Sequence, residues 1–375
     1  MGNLNKNIIP TEFKQTELGL IPKEWNVETI KQMASITTGS KNTQDRISDG
    51  LYPFFVRSQN IERINSYSFD GEAVLTAGDG VGTGKVFHYV NGKFNIHQRV
   101  YKISDFKNNL NGYFFFLYFS NHFYKRIMQM TAKSSVDSVR MEMIADMQIP
   151  IPPKTEQNHI ATALSDADAL ITSLEKLIQK KRAIKQCAMQ QLLKPKEGWA
   201  VKKLGEVLDY EQPSNYIVKD TEYNDNNQIP VLTAGKSFIL GYTHEEFNRF
   251  ENVPVIIFDD FTTATKFVDF PFKVKSSAMK ILKPKHSDVN LRLVFEIMQR
   301  IDYPMGIGDH KRHWIADYQK IEIKTPSTSE EQGNISTILS DMDSEILIME
   351  TKLEKQKMIK QGMMQNLLTG KIRLI

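Results

Sequence analysis

The alternation of apolar and polar positions is most regular in two long stretches. In the first, apolar residues fall at Ile160, Leu164, Ala167, Ile171, Leu174 and Ile178, then at Ile184, Ala188 and Leu192. In the second they fall at Ile335, Leu339, Met342, Ile346, Met349 and Leu353, then at Ile359, Met363 and Leu367. Alternating steps of four and three are the heptad seam of an α-helix. Neither stretch contains proline, and each follows a proline-bearing segment in which Thr155 or Ser329 can cap the helix. The helices should stop near Pro195 and Gly370. About 36 residues at 1.5 Å each predict rods of roughly 54 Å. A stripe of that length must be buried, and the other helix is the obvious partner, with Ile160, Leu164, Ile171, Leu174 and Ile178 facing Ile335, Leu339, Ile346, Met349 and Leu353. Lys181 and Gln356 break the seam at the same heptad position, as a register device or a merely solvated place.

The two stretches are copies of one another. Glu156 to Lys196 aligns with Glu331 to Lys371 without a gap, with roughly 19 identities in about 41 positions. Weaker similarity runs upstream: Trp25 pairs with Trp199, Asp79 and Lys85 fall on Asp260 and Lys266, and Ala145-Asp146 pairs with Ala316-Asp317. The chain is therefore a tandem duplication, each copy a globular part followed by a long helix. The globular parts carry short β-branched and aromatic runs such as YPFFV, EAVLTA and VPVIIF, interrupted by one helical stretch each, which predicts α+β domains. The expected order is an N-terminal segment at 1–24, a first domain at 25–150, a first spacer helix at 151–196, a second domain at 197–325 and a second spacer helix at 326–375.

Composition narrows the class. At 375 residues with 41% hydrophobic and 25% charged, the chain is globular and large enough for two or three domains. Its apolar runs, such as Val253 to Phe258, are far short of the roughly 18 residues of a membrane span. Met1 to Ile9 does not read as a secretion signal, so a cytoplasmic location is expected, with no membrane partner. The single cysteine, Cys187, forms no internal disulfide and excludes clusters that need several thiolates. The net charge of +4 permits nucleic-acid binding without requiring it.

Catalytic motifs fail on inspection. Gly78 to Lys85 lacks the spacing of a phosphate loop, and no Asn-Pro-Pro-Tyr string of an adenine methyltransferase is present. His310 and His313 lack a third metal ligand, and Lys311 and Arg312 between them would repel a cation. What survives is a set of polar loops at matching places in the two copies, with side chains of the kinds that contact bases and phosphates. In the first copy these are Arg57, Ser58, Gln59, Asn60, Lys85, Lys133, Ser134, Ser135 and Arg140. In the second they are Lys236, Thr262, Thr263, Lys266, His310, Lys311, Arg312 and His313. The plainer alternative for each is a solvated loop. Asp79 with Lys85 and Asp260 with Lys266 form the only titratable pair common to both copies, and a structural ion pair suits them better than a hidden enzyme site.

With TELGLIPKEW at its start, IPIPP…EQ opening one helix, a second such opening at EEQ, and QQLL and QNLL closing the pair, the chain resembles the specificity subunit of a Type I restriction–modification system. The resemblance covers nearly the whole chain. It implies two target recognition domains, each reading half of a split double-stranded DNA target, separated by helices that pair as an antiparallel coiled coil with pseudo-two-fold symmetry. It also implies no catalysis and no cofactor in this chain. S-adenosylmethionine, ATP and magnesium would belong to two modification subunits and to the restriction subunits. A specificity module of a stand-alone methyltransferase and a protein-binding coiled-coil scaffold are the rival readings.

Overall fold

The computed structural model describes residues 11–130, 138–233, 237–260, 262–303 and 313–375. The chain divides into two compact units, residues 1–174 with 352–375 and residues 175–351. In chain order, the first copy comprises β1 (Phe13–Thr16), β2 (Gly19–Pro22), β3 (Asn26–Thr29), α1 (Ile30–Met33), β4 (Ser35–Thr38), β5 (Tyr52–Phe55), β6 (Glu62–Ile64), β7 (Phe69–Ala77), β8 (Phe87–Ile96), β9 (Val100–Ser104), α2 (Gly112–Gln129), α3 (Met141–Ala145), β10 (Gln148–Ile151) and α4 (Lys154–Leu192). The second comprises β11 (Ala200–Lys203), α5 (Leu204–Val207), β12 (Leu208–Glu211), β13 (Ile229–Leu232), β14 (Ile239–Thr243), β15 (Val255–Asp259), β16 (Thr265–Val268), β17 (Lys273–Val274), β18 (Met279–Pro284), α6 (Leu291–Met298), α7 (His313–Ala316), β19 (Glu322–Thr325) and α8 (Ser329–Leu367).

The duplication read from the sequence is a duplication of topology. The first unit has one six-stranded sheet ordered β4-β9-β7-β8-β5-β6. The second has β12-β18-β15-β16 and β14-β13-β17, the same path with the long β8 replaced by two short strands. The interruption falls at Asp269 to Phe272, where Pro271 has no N–H to donate to a ladder. In each copy a short antiparallel pair, β3 with β10 or β11 with β19, joins the first and last strands of the domain. One sheet face is covered by the domain helix: Val74 and Ile103 lie under Phe114, Phe119 and Phe123 of α2, and Ile256, Phe258 and Leu282 lie under Leu291 and Val294 of α6. The N-terminal hairpin β1-β2 belongs to the first unit, where Ile21 is part of the core.

Both long helices have 39 residues, slightly more than the heptads alone indicate. Their caps differ from expectation. Thr155 lies inside the first turn of α4, and the Pro153 carbonyl accepts the helix's opening bond, from the Gln157 N–H at 3.0 Å. Ser329 is already helical in α8, and Thr328 caps it, its Oγ1 accepting from the Glu331 N–H at 3.3 Å. Proline at 153 removes a donor that a helix start leaves unpaired anyway, so the helix begins directly after it.

The helix halves meet within each unit, in opposite directions. In the first unit Lys360 pairs with Asp168 at 2.5 Å. In the second Lys185 pairs with Asp343 at 2.7 Å, and Lys196 with Glu331 at 2.8 Å. The duplication places Asp168 on Asp343 and Lys185 on Lys360, so one contact is made twice, once per unit, by exchanged partners. The seam is shared with the recognition domain. Ile160 and Leu164 are buried with α2 residues and with Leu367 and Leu368, while Ile335 and Leu339 are buried with Leu293 of α6 and Leu193. Leu174, Ile178, Ile346 and Leu353 are buried, and Ile171 and Met349 are half-buried. Beyond the break the seam departs from the heptad expectation: Ile184 and Ile359 are exposed, at 44% and 43%. The next residues, Lys185 and Lys360, take the inward place because an aliphatic stem can pack while its ammonium reaches an aspartate. Lys181, in the break itself, pairs with Glu345 at 2.6 Å.

Leu164 and Leu339 are equivalent and both fully buried. Truncation of either to alanine should cost about 2–5 kcal/mol, the range for a buried leucine, and the two costs should be similar. Urea unfolding of the variants tests this; a loss below about 1 kcal/mol at one site alone would contradict equivalent packing.

Candidate nucleic-acid interface

In the first unit the sheet hydrogen bonds bring five chain segments to one end. The His97 N–H donates to the Phe55 carbonyl at 2.9 Å, and the Gly78 N–H to the Arg99 carbonyl at 2.8 Å. The Gln98 N–H donates to the Lys41 carbonyl at 2.8 Å, and the Val139 N–H to the Gly78 carbonyl at 2.7 Å. Beside one another therefore stand the loop after β5 (Arg57 to Asn60), the loop after β7 (Gly78 to Lys85), the turn between β8 and β9 (His97 to Arg99), the Lys41-Asn42 segment and the Ser138 to Arg140 segment. Arg57, Ser58, Gln59, Asn60, Lys85, Gln98, Arg99 and Arg140 are all exposed. Five cations, Lys41, Arg57, Lys85, Arg99 and Arg140, stand there, and Asp79 is the carboxylate that two of them, Arg57 and Arg99, contact.

The loops are held from beneath. A Cβ on Gly82 would lie 2.5 Å from the Arg57 carbonyl oxygen, so only glycine lets the two loops approach this closely. His88 is buried and its Nε2 bonds the Ser58 carbonyl at 3.2 Å, which requires the proton on Nε2. His97, also buried, accepts the Arg99 N–H on Nδ1 at 2.9 Å, which fixes the β8–β9 turn. Asp79 binds Arg57 at 2.8 Å and faces Arg99 at 3.6 Å. It does not pair with Lys85, whose ammonium lies 5.6 Å from the centre of the Tyr124 ring.

The second unit has the same framework with different chemistry. Thr262 and Thr263 form the turn after β15; Thr262 Oγ1 donates to Asp259 at 2.6 Å, and Thr263 has a φ of 57°. Lys266 is exposed on β16. The turn corresponding to His97 to Arg99 is Lys275 to Ser277, all exposed. Asp260 is buried, pairs with Lys280 at 3.2 Å rather than with Lys266, and accepts the Trp314 N–H at 2.9 Å. His313 is turned inward, its Nδ1 3.4 Å from Asp317 and its ring against Tyr318. Lys133, Ser134, Ser135, Lys236, His310, Lys311 and Arg312 lie outside the described residues.

The sheet thus gathers Arg57 to Asn60, Lys85 and Arg140 at one place. Sequence reading missed Lys41, Gln98, Arg99 and Lys275. The signal was present in the first copy as His97-Gln98-Arg99, a polar break between the runs FNI and VYKI that reads more naturally as one strand. Among the described residues no cluster of three His, Cys, Asp or Glu could hold a metal ion, and no helix is long and apolar enough to cross a membrane. A cleft of about 600 Å³ near Asn226, Tyr242, His244 and Arg249 is lined mainly by neutral side chains.

Duplicated sheets that present basic, polar loops from one end, mounted on paired helices, define a modular recognition protein. Residues 22–186 and 196–357 each match the Type I restriction modification DNA specificity domain, and the chain belongs to that family. It is 49% identical over 126 residues to the Type I restriction enzyme EcoR124I/EcoR124II specificity subunit of Escherichia coli; that match covers 33% of this chain and 31% of the relative, so it spans under a third of that protein. It is 26% identical to the putative type I restriction enzyme MjaX specificity subunit of Methanocaldococcus jannaschii, over 96% of this chain and 97% of the relative. The crystal structure of a Type I restriction–modification S subunit from M. genitalium has the same fold, with a TM-score of 0.70 at 15% identity over 95% of this chain and 98% of that one.

The two histidines beneath the loops make a pH prediction. Burial pushes His97 below the ordinary imidazole value of 6.5; Arg57 and Arg99 push the same way, against Asp79 and Asp45. Burial also lowers His88, against its bond to Ser58. In the unfolded chain both protonate near the ordinary value, so below it the unfolded state binds more protons. The stability they contribute is full above pH 6.5 and is lost as the pH falls from there towards the depressed native values. Thermal unfolding followed from about pH 7.5 to 5 should show this loss, and His97→Gln should flatten it. An equal slope in the variant would remove His97 from the account.

Proposed function

We propose that this chain is the specificity subunit of a Type I restriction–modification complex, a non-catalytic DNA reader whose two units each recognise one half of a split double-stranded target. The observation that carries the reading is the repeated domain: two family domains on one topology, with the same loop positions filled by unlike side chains. Where the first copy has Arg57 and the turn His97 to Arg99, the second has Ala234 and Lys275 to Ser277, as expected if the frame is held constant while each set of loops reads its own sequence.

The cations and amides of the loops supply phosphate and base contacts. The unbroken length of α4 and α8 sets the number of unread base pairs between the halves. Two modification subunits bring S-adenosylmethionine and the adenine methyltransferase site, and restriction subunits bring ATP- and magnesium-dependent cleavage; the present chain directs them. The basic loops favour this over a protein-binding scaffold, because association through Lys and Arg on DNA weakens steeply with salt.

Mapping methylated adenines in cells that express this chain with its modification subunit should reveal a split motif. Insertion of one heptad into both α4 and α8 should widen the unread gap and leave both halves unchanged. A continuous motif would refute the two-reader proposal, and an unchanged gap would refute the ruler. In binding assays the logarithm of affinity should fall linearly with the logarithm of salt, by about 0.9 per phosphate contacted.

A further inference from the structure

Arg99 is an exposed cation at the loop end of the first unit, carried on a turn whose main chain is held from beneath. Its main chain is tied on both sides, the N–H to His97 Nδ1 at 2.9 Å and the carbonyl to the Gly78 N–H at 2.8 Å. The approach of Gly78 is tight: a Cβ there would lie 2.9 Å from the Tyr101 ring and 3.0 Å from the Arg99 carbonyl oxygen. The side chain is 64% exposed, and its Nε faces Asp79 Oδ2 at 3.6 Å. That distance is a charge contact rather than a hydrogen bond, and it favours a guanidinium with Nε towards the carboxylate. Asp79 is meanwhile neutralised by Arg57, whose Nη1 donates to Oδ1 at 2.8 Å. The triad carries a net positive charge, so the carboxylate does not repel a polyanion.

The contact with Asp79 is made at Nε, so Nη1 and Nη2 of Arg99, the two parallel donors at the end of the guanidinium, make no hydrogen bond among the described residues. Two parallel donors match two parallel acceptors. In the major groove that pattern is guanine O6 with N7, whereas adenine offers a donor beside its N7. A phosphate can also accept a pair of donors, but a phosphate contact needs no orienting carboxylate beside it. We propose that Arg99 reads a guanine in the half-target of the first domain through Nη1 and Nη2, with Asp79 as the positioning residue that sets its guanidinium plane. The inference rests on the reading of this chain as a DNA specificity subunit, and it assigns one base of the recognised sequence to one side chain.

The test uses the complex of the full chain with its modification subunit and reads methylation site by site, for the unaltered chain and for Arg99→Gln, Asp79→Asn and Arg57→Gln. The unaltered complex should require guanine at one position of one half-site. In Arg99→Gln the preference for guanine at that position should fall about 10- to 100-fold, the loss of one bidentate contact, and adenine should gain, since a glutamine amide pairs with adenine N6 and N7. Every other position should keep its base. Asp79→Asn should relax the same position more weakly while the salt slope stays within about one phosphate contact of the original, which loss of folding or of general affinity would not produce. Thermal unfolding of each variant confirms that the domain remains intact; the main-chain bonds at Arg99 do not depend on its side chain. The proposal is overturned if Arg99→Gln leaves all base preferences unchanged, or if Arg57→Gln rather than Arg99→Gln alters the guanine position. Absence of any split motif with the unaltered chain would instead remove the underlying reading.

Discussion

The architecture depends on the exchange of helix halves between the two copies. The start of α4 and the later part of α8 are held in one unit; the later part of α4 and the start of α8 are held in the other. Burial of Ile160, Leu164, Leu367 and Leu368 in one unit, and of Ile335, Leu339 and Leu193 in the other, removes large apolar side chains from water against a domain helix. The ion pairs Asp168 with Lys360 and Asp343 with Lys185 add little energy as partly exposed contacts, but they fix register and direction, which an apolar seam alone leaves open. In the second unit Arg292 of α6 joins the same aspartate, so the domain helix is keyed to the same register point.

The second constraint is that readable side chains are mobile unless something beneath them is not. In the first unit the buried imidazoles of His88 and His97 meet backbone groups of the exposed loops, and glycines at 78 and 82 allow one loop to lie against the next. The second unit supports its strand ends differently. A buried pair, Lys280 with Asp260, anchors the strand end, and Asp260 reaches across to the main chain of Trp314. Lys273 and Glu245 form another buried pair at 2.7 Å near Phe247. Such pairs suit a support that is not itself read, because a buried charge with one partner removed is costly and so keeps its geometry.

Much of this was legible in the sequence for a physical reason. Heptad spacing and duplication are repeated signals, so Ile160, Leu164 and their partners Ile335 and Leu339 announced a buried seam. Individual departures were not legible. Ile184 and Ile359 continue the pattern by residue type, yet lysines one place further on turn inward, because their aspartate partners are remote in sequence. Thr328 and Pro153 start the helices where Ser329 and Thr155 were equally good candidates by composition. At the loops, Arg57 to Asn60 stood out as a polar run after an apolar strand. Arg99 looked like the first residue of a strand, and only hydrogen bonds from Gly78 and to His97 reveal it as part of a turn. Asp79 and Lys85 share a loop but not a contact, a distinction that spacing alone does not carry.

One further feature of the first unit concerns time rather than geometry. Glu156 is fully buried at the start of α4, where the Trp25 indole donates to it at 3.0 Å and Arg373 grips it with two bonds of 2.6 and 2.9 Å. Leu367 and Leu368 complete the same core. The second unit is a single uninterrupted span, 175–351, whereas the first is closed by residues 352–375. During synthesis the domain that is begun first is therefore the one finished last. Part of the core around Glu156 and the cation that pairs with it both come from the segment 352–375, which is made after all of the second unit.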